Sequence, residues 1–284
     1  MTVRDVLVAA TAWLRGSGVD EARLTVELLL ARSMGLSRAG VLARLNDPLP
    51  GEARAELDEL LARRARGEPL AYILGEREFY GLPFAVSPAV LIPRPETELL
   101  VEQVLAYAKA GNPVASVVDV GTGSGAIAIA LAVHLPNARV LAIDRSREAL
   151  LVAAKNVARH GVSDRVELLL GDLLSGLAGS HDVVVANPPY VPSGVIPTLD
   201  RSVRDFEPRL ALDGGPDGLD PHRRLLSQLP GRLRPGGLFL VEIADDRGAA
   251  ALAMARGMLP DAEVTLLRDT FGRDRAVRAI VGRR

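Results

Sequence analysis

The chain of 284 residues contains no cysteine, which excludes disulfides and thiolate metal sites and permits a reducing interior. No uninterrupted apolar run approaches the roughly 18 residues expected of a membrane-spanning helix. The opening "MTVRDVLVAATAWLRG" carries Asp5 and Arg15 around a helical pattern and lacks the apolar centre of a signal peptide. No membrane contact and a soluble, cytoplasmic protein are therefore expected. Neither sign of charge dominates: 34 basic residues stand against 35 acidic ones, for a net charge of −1. That balance leaves no bulk electrostatic footprint for direct binding to nucleic acid. Lysine is confined to Lys109 and Lys155, and the wealth of alanine and arginine reads as composition bias. The four histidines, His134, His160, His181 and His222, fall at predicted helix ends or in loops, with no clustering that suggests metal or acid–base work.

What is present is a change of hydrophobic period along the chain. Val3, Val6, Leu7, Ala10, Trp13 and Leu14 recur at helical spacing before Gly16 and Gly18, and Asp20 is predicted to cap a second helix in "EARLTVELLLARSMG". A third short helix is expected from Ser37, and a fourth in "GEARAELDELLARRARGEP", stopped by Gly67 and Pro69. Ten acidic and ten basic side chains lie between Arg4 and Glu68, so this segment is neutral. Residues 1–75 are thus expected to form a helical domain, either a structural cap or a docking surface for a protein partner. Residues 76–92, with Gly81, Pro83 and Pro88 between short β-like runs, suit a β-hairpin linker. From residue 93 to 284 a Pro-stiffened loop opens a helix. Strands and helices then alternate, including a helix from near Pro221 to Leu233, and two closing strands are joined by a turn too short for a crossover helix. The expected fold class is α/β: a mostly parallel seven-stranded sheet with helices on both faces and an antiparallel hairpin at the end, the Rossmann-like outline of class I methyltransferases.

"VVDVGTGSGAIAIALA" places Gly121, Thr122, Gly123, Ser124 and Gly125 at the turn between the first core strand and its helix. Glycines there let a ligand approach the backbone and the N–H groups of a helix N-terminus. Asp144 ends the next strand, where a carboxylate can accept hydrogen bonds from ribose hydroxyls. These residues suit a dinucleotide and S-adenosylmethionine equally, because Gly121, Gly123 and Ala126 also fit the dinucleotide fingerprint. Asp172, predicted to end the third strand, could accept from an exocyclic amine or cap the next turn, and Leu173 could wall a base.

The stretch "VVVANPPYVP" separates the cofactor classes. A buried strand runs into Asn187, Pro188, Pro189 and Tyr190, which match the [D/N]-P-P-[Y/F] tetrapeptide of methyltransferases acting on a planar nitrogen. The lone pair of an amide or aromatic amine is delocalised, so the nitrogen must be held in line with the methyl donor. The Asn187 side-chain carbonyl and the Pro188 backbone carbonyl can each accept one N–H of an –NH₂ group. Pro189 stiffens the corner, and Tyr190 can offer a flat face to the substrate.

At this point the sequence resembles the bacterial and organellar glutamine methyltransferases that modify peptide-chain release factors. The similarity covers nearly the whole chain and includes "PLAYILGEREFYGLPFAVSPAVLIPRPETELLVE", "VVDVGTGSGAIAIALA", "AIDRS", "ANPPYVP", "VRDFEPRLALDGGPDGLD" and "LRPGGLFLVEI". The resemblance implies an N-terminal domain that docks the release factor, and a catalytic domain in which S-adenosylmethionine methylates the glutamine amide of a Gly-Gly-Gln loop, supporting translation termination. It implies that Gly121 to Gly125, Asp144, Asp172, Leu173 and Asn187 meet the cofactor, and that Asn187 to Tyr190 clamp the substrate amide. No metal is implied, and a monomer is expected. Ala244 and Arg247 depart from the family pattern, and no role is carried onto their segment. The nearest alternative is the sister family acting on a large-subunit ribosomal protein. DNA adenine and ribosomal RNA guanine methyltransferases share the corner but usually carry a basic surface, and outside the class stand a nucleotide-linked oxidoreductase and a non-catalytic cofactor-binding module.

Overall fold

The computed structural model describes residues 1–282. In chain order the elements are α1 (Val3–Gly16), α2 (Ala22–Ser33), α3 (Arg38–Ala43), α4 (Gly51–Ala65), α5 (Leu70–Leu74), β1 (Glu76–Phe79), β2 (Leu82–Ala85), α6 (Glu98–Lys109), β3 (Ser116–Val120), α7 (Ala126–His134), β4 (Arg139–Asp144), α8 (Arg147–Arg159), β5 (Val166–Leu170), β6 (His181–Ala186), α9 (Arg201–Arg204), α10 (Asp220–Gln228), β7 (Leu233–Glu242), α11 (Gly248–Met258), β8 (Ala262–Arg268) and β9 (Asp274–Val281). They form two compact units: Met1–Glu76 with Asp200–Phe206, and Arg77–Leu199 with Glu207–Arg284. The return of residues 200–206 to the first unit lies outside what period alone could show. Among the described residues no helix is long and apolar enough to cross a membrane.

In the first unit, α1 opens with a capping box: the Thr2 hydroxyl accepts from the Asp5 N–H at 3.2 Å, and the Asp5 carboxylate accepts from the Thr2 N–H at 2.9 Å. Val3, Val6, Leu7 and Leu14 of α1 pack with Val26, Leu29 and Leu30 of α2 and with Leu57, Leu60 and Leu61 of α4 in one core. Trp13, expected on that apolar stripe, is half exposed instead. Asp20 does not cap α2 either. The chain reverses through Gly18 and through Glu21 at φ 49°, so the helix starts beyond Asp20 with no side-chain cap. Ser37 does cap α3, its hydroxyl accepting from the Gly40 N–H.

The second unit begins with the β1–β2 hairpin, whose turn residues Tyr80 and Gly81 sit at φ 52° and 71°, the two left-handed positions that match the twist of paired strands. Its main sheet has the order β5-β4-β3-β6-β7-β9-β8, with β9 antiparallel to both of its neighbours. Strand alternation divides the core between the two faces. Val117, Val183, Val185, Leu238 and Leu240 meet α6 and α7, while Val118, Val184, Phe239 and Val241 meet α10 and α11. Pro230 and Gly231 (φ 77°) end the helix expected to reach Leu233, and Leu233 opens β7 instead. His181 is the first residue of β6 and so lies in a strand, not in the loop or at the helix end expected. His222 lies in the first turn of α10, at the expected helix end, buried with Nε2 2.8 Å from the Glu242 carbonyl oxygen.

Candidate active site

Strand order reverses around β3 and β6, which pair in parallel, and open α/β sheets bind ligands at such a switch point, beyond the C-terminal strand ends. The register aligns Val120 with Ile143 of β4 and with Ala186 of β6. The next residues, Gly121, Asp144 and Asn187, therefore emerge side by side. A cavity of about 650 Å³ opens there, within the size range of small-molecule and cofactor sites. Gly121, Thr122, Gly123, Ser124, Asp144, Asp172, Leu173, Asn187, Pro188 and Pro189 line it; Gly125 and Tyr190 do not.

The glycine loop is held mostly by the fold. The N–H groups of Gly121 and Thr122 donate to the Ile143 carbonyl at 2.8 and 2.9 Å, and the Gly123 N–H donates to Asp144 Oδ2 at 2.8 Å. Three N–H groups expected to face a ligand thus have partners already. Gly121, at φ 74°, would place a Cβ 3.9 Å from the Asn187 carbonyl oxygen. Gly125 serves packing: a Cβ there would lie 3.0 Å from Ile129 Cδ1 and 3.4 Å from the Ala153 Cβ, so its absence lets α7 approach α8. Asp144 Oδ1 accepts from the Ser146 N–H at 2.9 Å, leaving each carboxylate oxygen further acceptor capacity. Burial raises the Asp144 pKa, against the pull of these backbone donors.

Behind the loop, Asp119 of β3 is wholly buried. Its Oδ2 accepts from the Thr122 hydroxyl at 2.6 Å and from the Ala128 N–H at 3.2 Å, while Oδ1 has no partner. Burial pushes its carboxyl up to about 7, and the nearby Asp144 charge adds to the rise.

On the third strand, β5 ends at Leu170, so Asp172 stands two residues past the strand. It does not cap the following turn. Its carboxylate pairs with Arg224 of α10, which also lines the cavity. Leu173 holds φ 55°, a left-handed conformation uncommon for a branched residue, and lines the cavity in that strained position.

At the corner after β6, Asn187 Nδ2 donates to the Thr97 hydroxyl at 3.0 Å. Neither Asn187 Oδ1 nor the Pro188 carbonyl receives a hydrogen bond from the described residues. Past the corner, the chain is bound to the segment 212–215: the Val191 N–H donates to the Leu212 carbonyl, the Gly214 N–H to Val191, and the Ser193 N–H to Gly215. Tyr190 turns away from the cavity, its hydroxyl donating to Glu242 Oε1 at 3.3 Å. Burial and the Glu242 charge raise its pKa well above the ordinary phenol value. Glu242 itself, fully buried at the end of β7, is pushed by burial up to about 7, with Thr97 and Arg275 opposing the rise.

Several contributors carried no sequence signal of their own. Asn156 of α8, fully buried, accepts from the Ala85 N–H at 2.7 Å and donates to the Ala85 and Ser124 carbonyls at 3.0 and 2.8 Å, tying the hairpin to the glycine loop. Glu207 pairs with Arg94, which lines the cavity, and accepts from the Ile92 N–H. That pair fastens the "IPRPETE" loop to the start of the "EPRLALDGG" segment, whose residues 208–211 and 213–215 form a cavity wall. The quoted motifs contained Arg94 and Glu207, but only the long-range pairing distinguishes them from ordinary surface charges; Asn156 lay outside those motifs.

Residues 5–75 match the family model described as the PrmC N-terminal domain, and residues 95–200 match the methyltransferase small domain. The chain is 48% identical to the release factor glutamine methyltransferase of Moorella thermoacetica over 97% of each chain. It is 44% identical to that of Geobacter sulfurreducens, over 89% of this chain and 88% of the relative. A solved methyltransferase from Pyrococcus furiosus is similar at a TM-score of 0.52 and 17% identity, covering 79% of this chain and 99% of that one, a likeness of fold alone. On identity of this order over nearly the whole chain, the chain belongs to the release factor glutamine methyltransferase family.

Proposed function

We propose that the protein transfers a methyl group from S-adenosylmethionine to the side-chain amide nitrogen of the glutamine in the Gly-Gly-Gln loop of peptide-chain release factors. Family membership makes the protein a methyltransferase. The finer reading rests on one observation: Asn187 Nδ2 is occupied by Thr97, so the acceptor end of the carboxamide remains for the substrate beside the Pro188 carbonyl.

The residues present fit S-adenosylmethionine. The Asp144 carboxylate retains acceptor capacity for ribose hydroxyls, Gly121 turns the loop at φ 74° beside Asn187, and Leu173 supplies an apolar wall within a cavity of about 650 Å³. When bound, this sulfonium supplies an electrophilic methyl group. Asn187 Oδ1 and the Pro188 carbonyl each accept one N–H of the glutamine –NH₂, which orients the nitrogen lone pair away from them and toward the donor. The same two carbonyl dipoles stabilise the positive charge that grows on nitrogen as its bond to carbon forms. The methylated nitrogen is acidic enough to release a proton afterwards, so no dedicated base is required. Tyr190, anchored to Glu242, acts by fixing the corner.

We assign docking of the release factor to residues 1–75, with 76–92 as the linker hairpin and 93–284 as the catalytic domain. The test of function is methyl transfer from labelled S-adenosylmethionine to purified release factor, beside a Gln-to-Ala variant of its Gly-Gly-Gln loop, a large-subunit ribosomal protein and duplex DNA. Label is expected on the wild-type release factor alone. Label on the ribosomal protein or on DNA would move the activity to a sister substrate class.

A further inference from the structure

The Asn187 carboxamide has two ends of nearly equal shape and opposite hydrogen-bonding sense. Only one orientation can clamp an –NH₂ group, because the other sets donor against donor. Something outside the corner must select the productive one. Thr97 stands where such a selector is needed, 90 positions away in sequence. It is 5% exposed and closes the 3₁₀ turn Pro95–Thr97 at the start of α6, with its N–H donating to the Arg94 carbonyl. Pro93 and Pro95 stiffen that turn, and the Arg94 pair with Glu207 fastens it.

The Thr97 hydroxyl has one hydrogen and two lone pairs. On one side it accepts from Asn187 Nδ2 at 3.0 Å. On the other it faces the buried Glu242 carboxyl, whose proton affinity it lowers. Among the described residues Glu242 Oε2 has no hydrogen-bond partner, while Oε1 accepts from the Tyr190 hydroxyl at 3.3 Å. A carboxyl oxygen can accept the Thr97 hydrogen whether or not the group is protonated, and that leaves a hydroxyl lone pair facing Asn187. A β-branched side chain is stiff at χ1, which keeps the hydroxyl in place.

We infer that Thr97 is a positioning residue whose hydroxyl fixes the orientation of the Asn187 carboxamide, so that Oδ1 and not Nδ2 meets the substrate amide. The inference rests on the clamp reading of Asn187 above. Thr97 lines the cavity but supplies no base or nucleophile; its effect passes through Asn187.

The test compares Thr97→Val and Thr97→Ala with Thr97→Ser in the full chain, with release factor as substrate, calorimetry for S-adenosylmethionine and melting temperature as the check on folding. In the Val and Ala variants kcat should fall about 10- to 100-fold, the scale on which misplacement of a clamping group acts, with the cofactor Kd within about twofold of wild type. Thr97→Ser keeps the hydroxyl and should stay within about threefold of wild-type kcat. In an Asn187→Asp background both ends are oxygens and no orientation remains to be fixed, so Thr97→Val should there cost less than about threefold. Equal losses in the two backgrounds would overturn the inference, as would a loss in Thr97→Ser as large as in Thr97→Val. Wild-type kcat in Thr97→Val while Asn187→Ala is inactive would overturn it and leave the clamp standing. Full turnover in Asn187→Ala would instead remove the clamp itself.

Discussion

Gly218 packs so closely on the backbone of Tyr190 that a Cβ at Gly218 would stand 2.4 Å from the Tyr190 carbonyl oxygen. The same glycine holds φ 80°, so both its conformation and its contact require the missing side chain. Gly214 meets the Tyr190 Cα in a similar way, at 2.8 Å from its own would-be Cβ. The "DGGPDG" segment is thus a backbone mould for the corner that ends β6. Gly218→Ala should destabilise the protein by about 2 kcal/mol or more, from left-handed strain plus the clash, and should lower turnover along with it. Thermal unfolding and kcat check this; a variant with wild-type values for both would show that the corner does not depend on the mould.

Asp144 receives the Gly123 and Ser146 N–H groups and retains acceptor capacity at the cavity. Asp144→Ala should weaken S-adenosylmethionine binding by about 10- to 100-fold, the value of a hydrogen bond to a charged acceptor. Calorimetry reads this directly, and an unchanged Kd would remove Asp144 from the cofactor site.

Asp119 links stability to pH. Its carboxyl has an ordinary value of 3.8 and rises to about 7 in the folded chain, chiefly through burial. Between those values the native state holds a proton that the unfolded state has released. The contribution is therefore fully present below about pH 4 and is lost as pH rises toward 7. Glu242, raised from 4.5 to about 7, acts in the same direction. Asp119→Asn cannot release that proton, so its denaturation midpoint should fall less than that of the wild type between pH 5 and pH 8, measured in urea at each pH. Parallel curves for the two proteins would refute the assignment.

The docking role assigned to residues 1–75 predicts a split between substrates. Deleting them should raise KM for intact release factor by about tenfold or more, equivalent to about 1.4 kcal/mol of lost binding, and leave KM for a short Gly-Gly-Gln peptide unchanged. Steady-state kinetics with both substrates, on a truncated protein whose circular dichroism shows it folded, decides this. Equal KM values for release factor before and after truncation would mean that the helical unit is a cap and not a docking surface.

Periodicity and motif in the sequence by themselves determined the alternation of strands and helices, the glycine loop, the acidic end of β4 and the Asn-Pro-Pro-Tyr corner, because each of these depends on neighbours within a few residues. Strand lengths and flanking prolines also put the loop and the corner at one sheet edge. Only the tertiary structure decided the rest. Gly125 faces Ile129 and Ala153, Asp172 is matched by Arg224, Asn156 ties the hairpin to Ser124, and the N–H groups of Gly121 and Thr122 are bound to Ile143. Residues 200–206 join the helical unit for the same kind of reason. Asn187 could be named from its own tetrapeptide, but the atom it presents depends on Thr97, which reaches it from another loop. Hydrogen-bond partners so far apart in the chain are selected by strand register and loop packing, and no local pattern of residues encodes them.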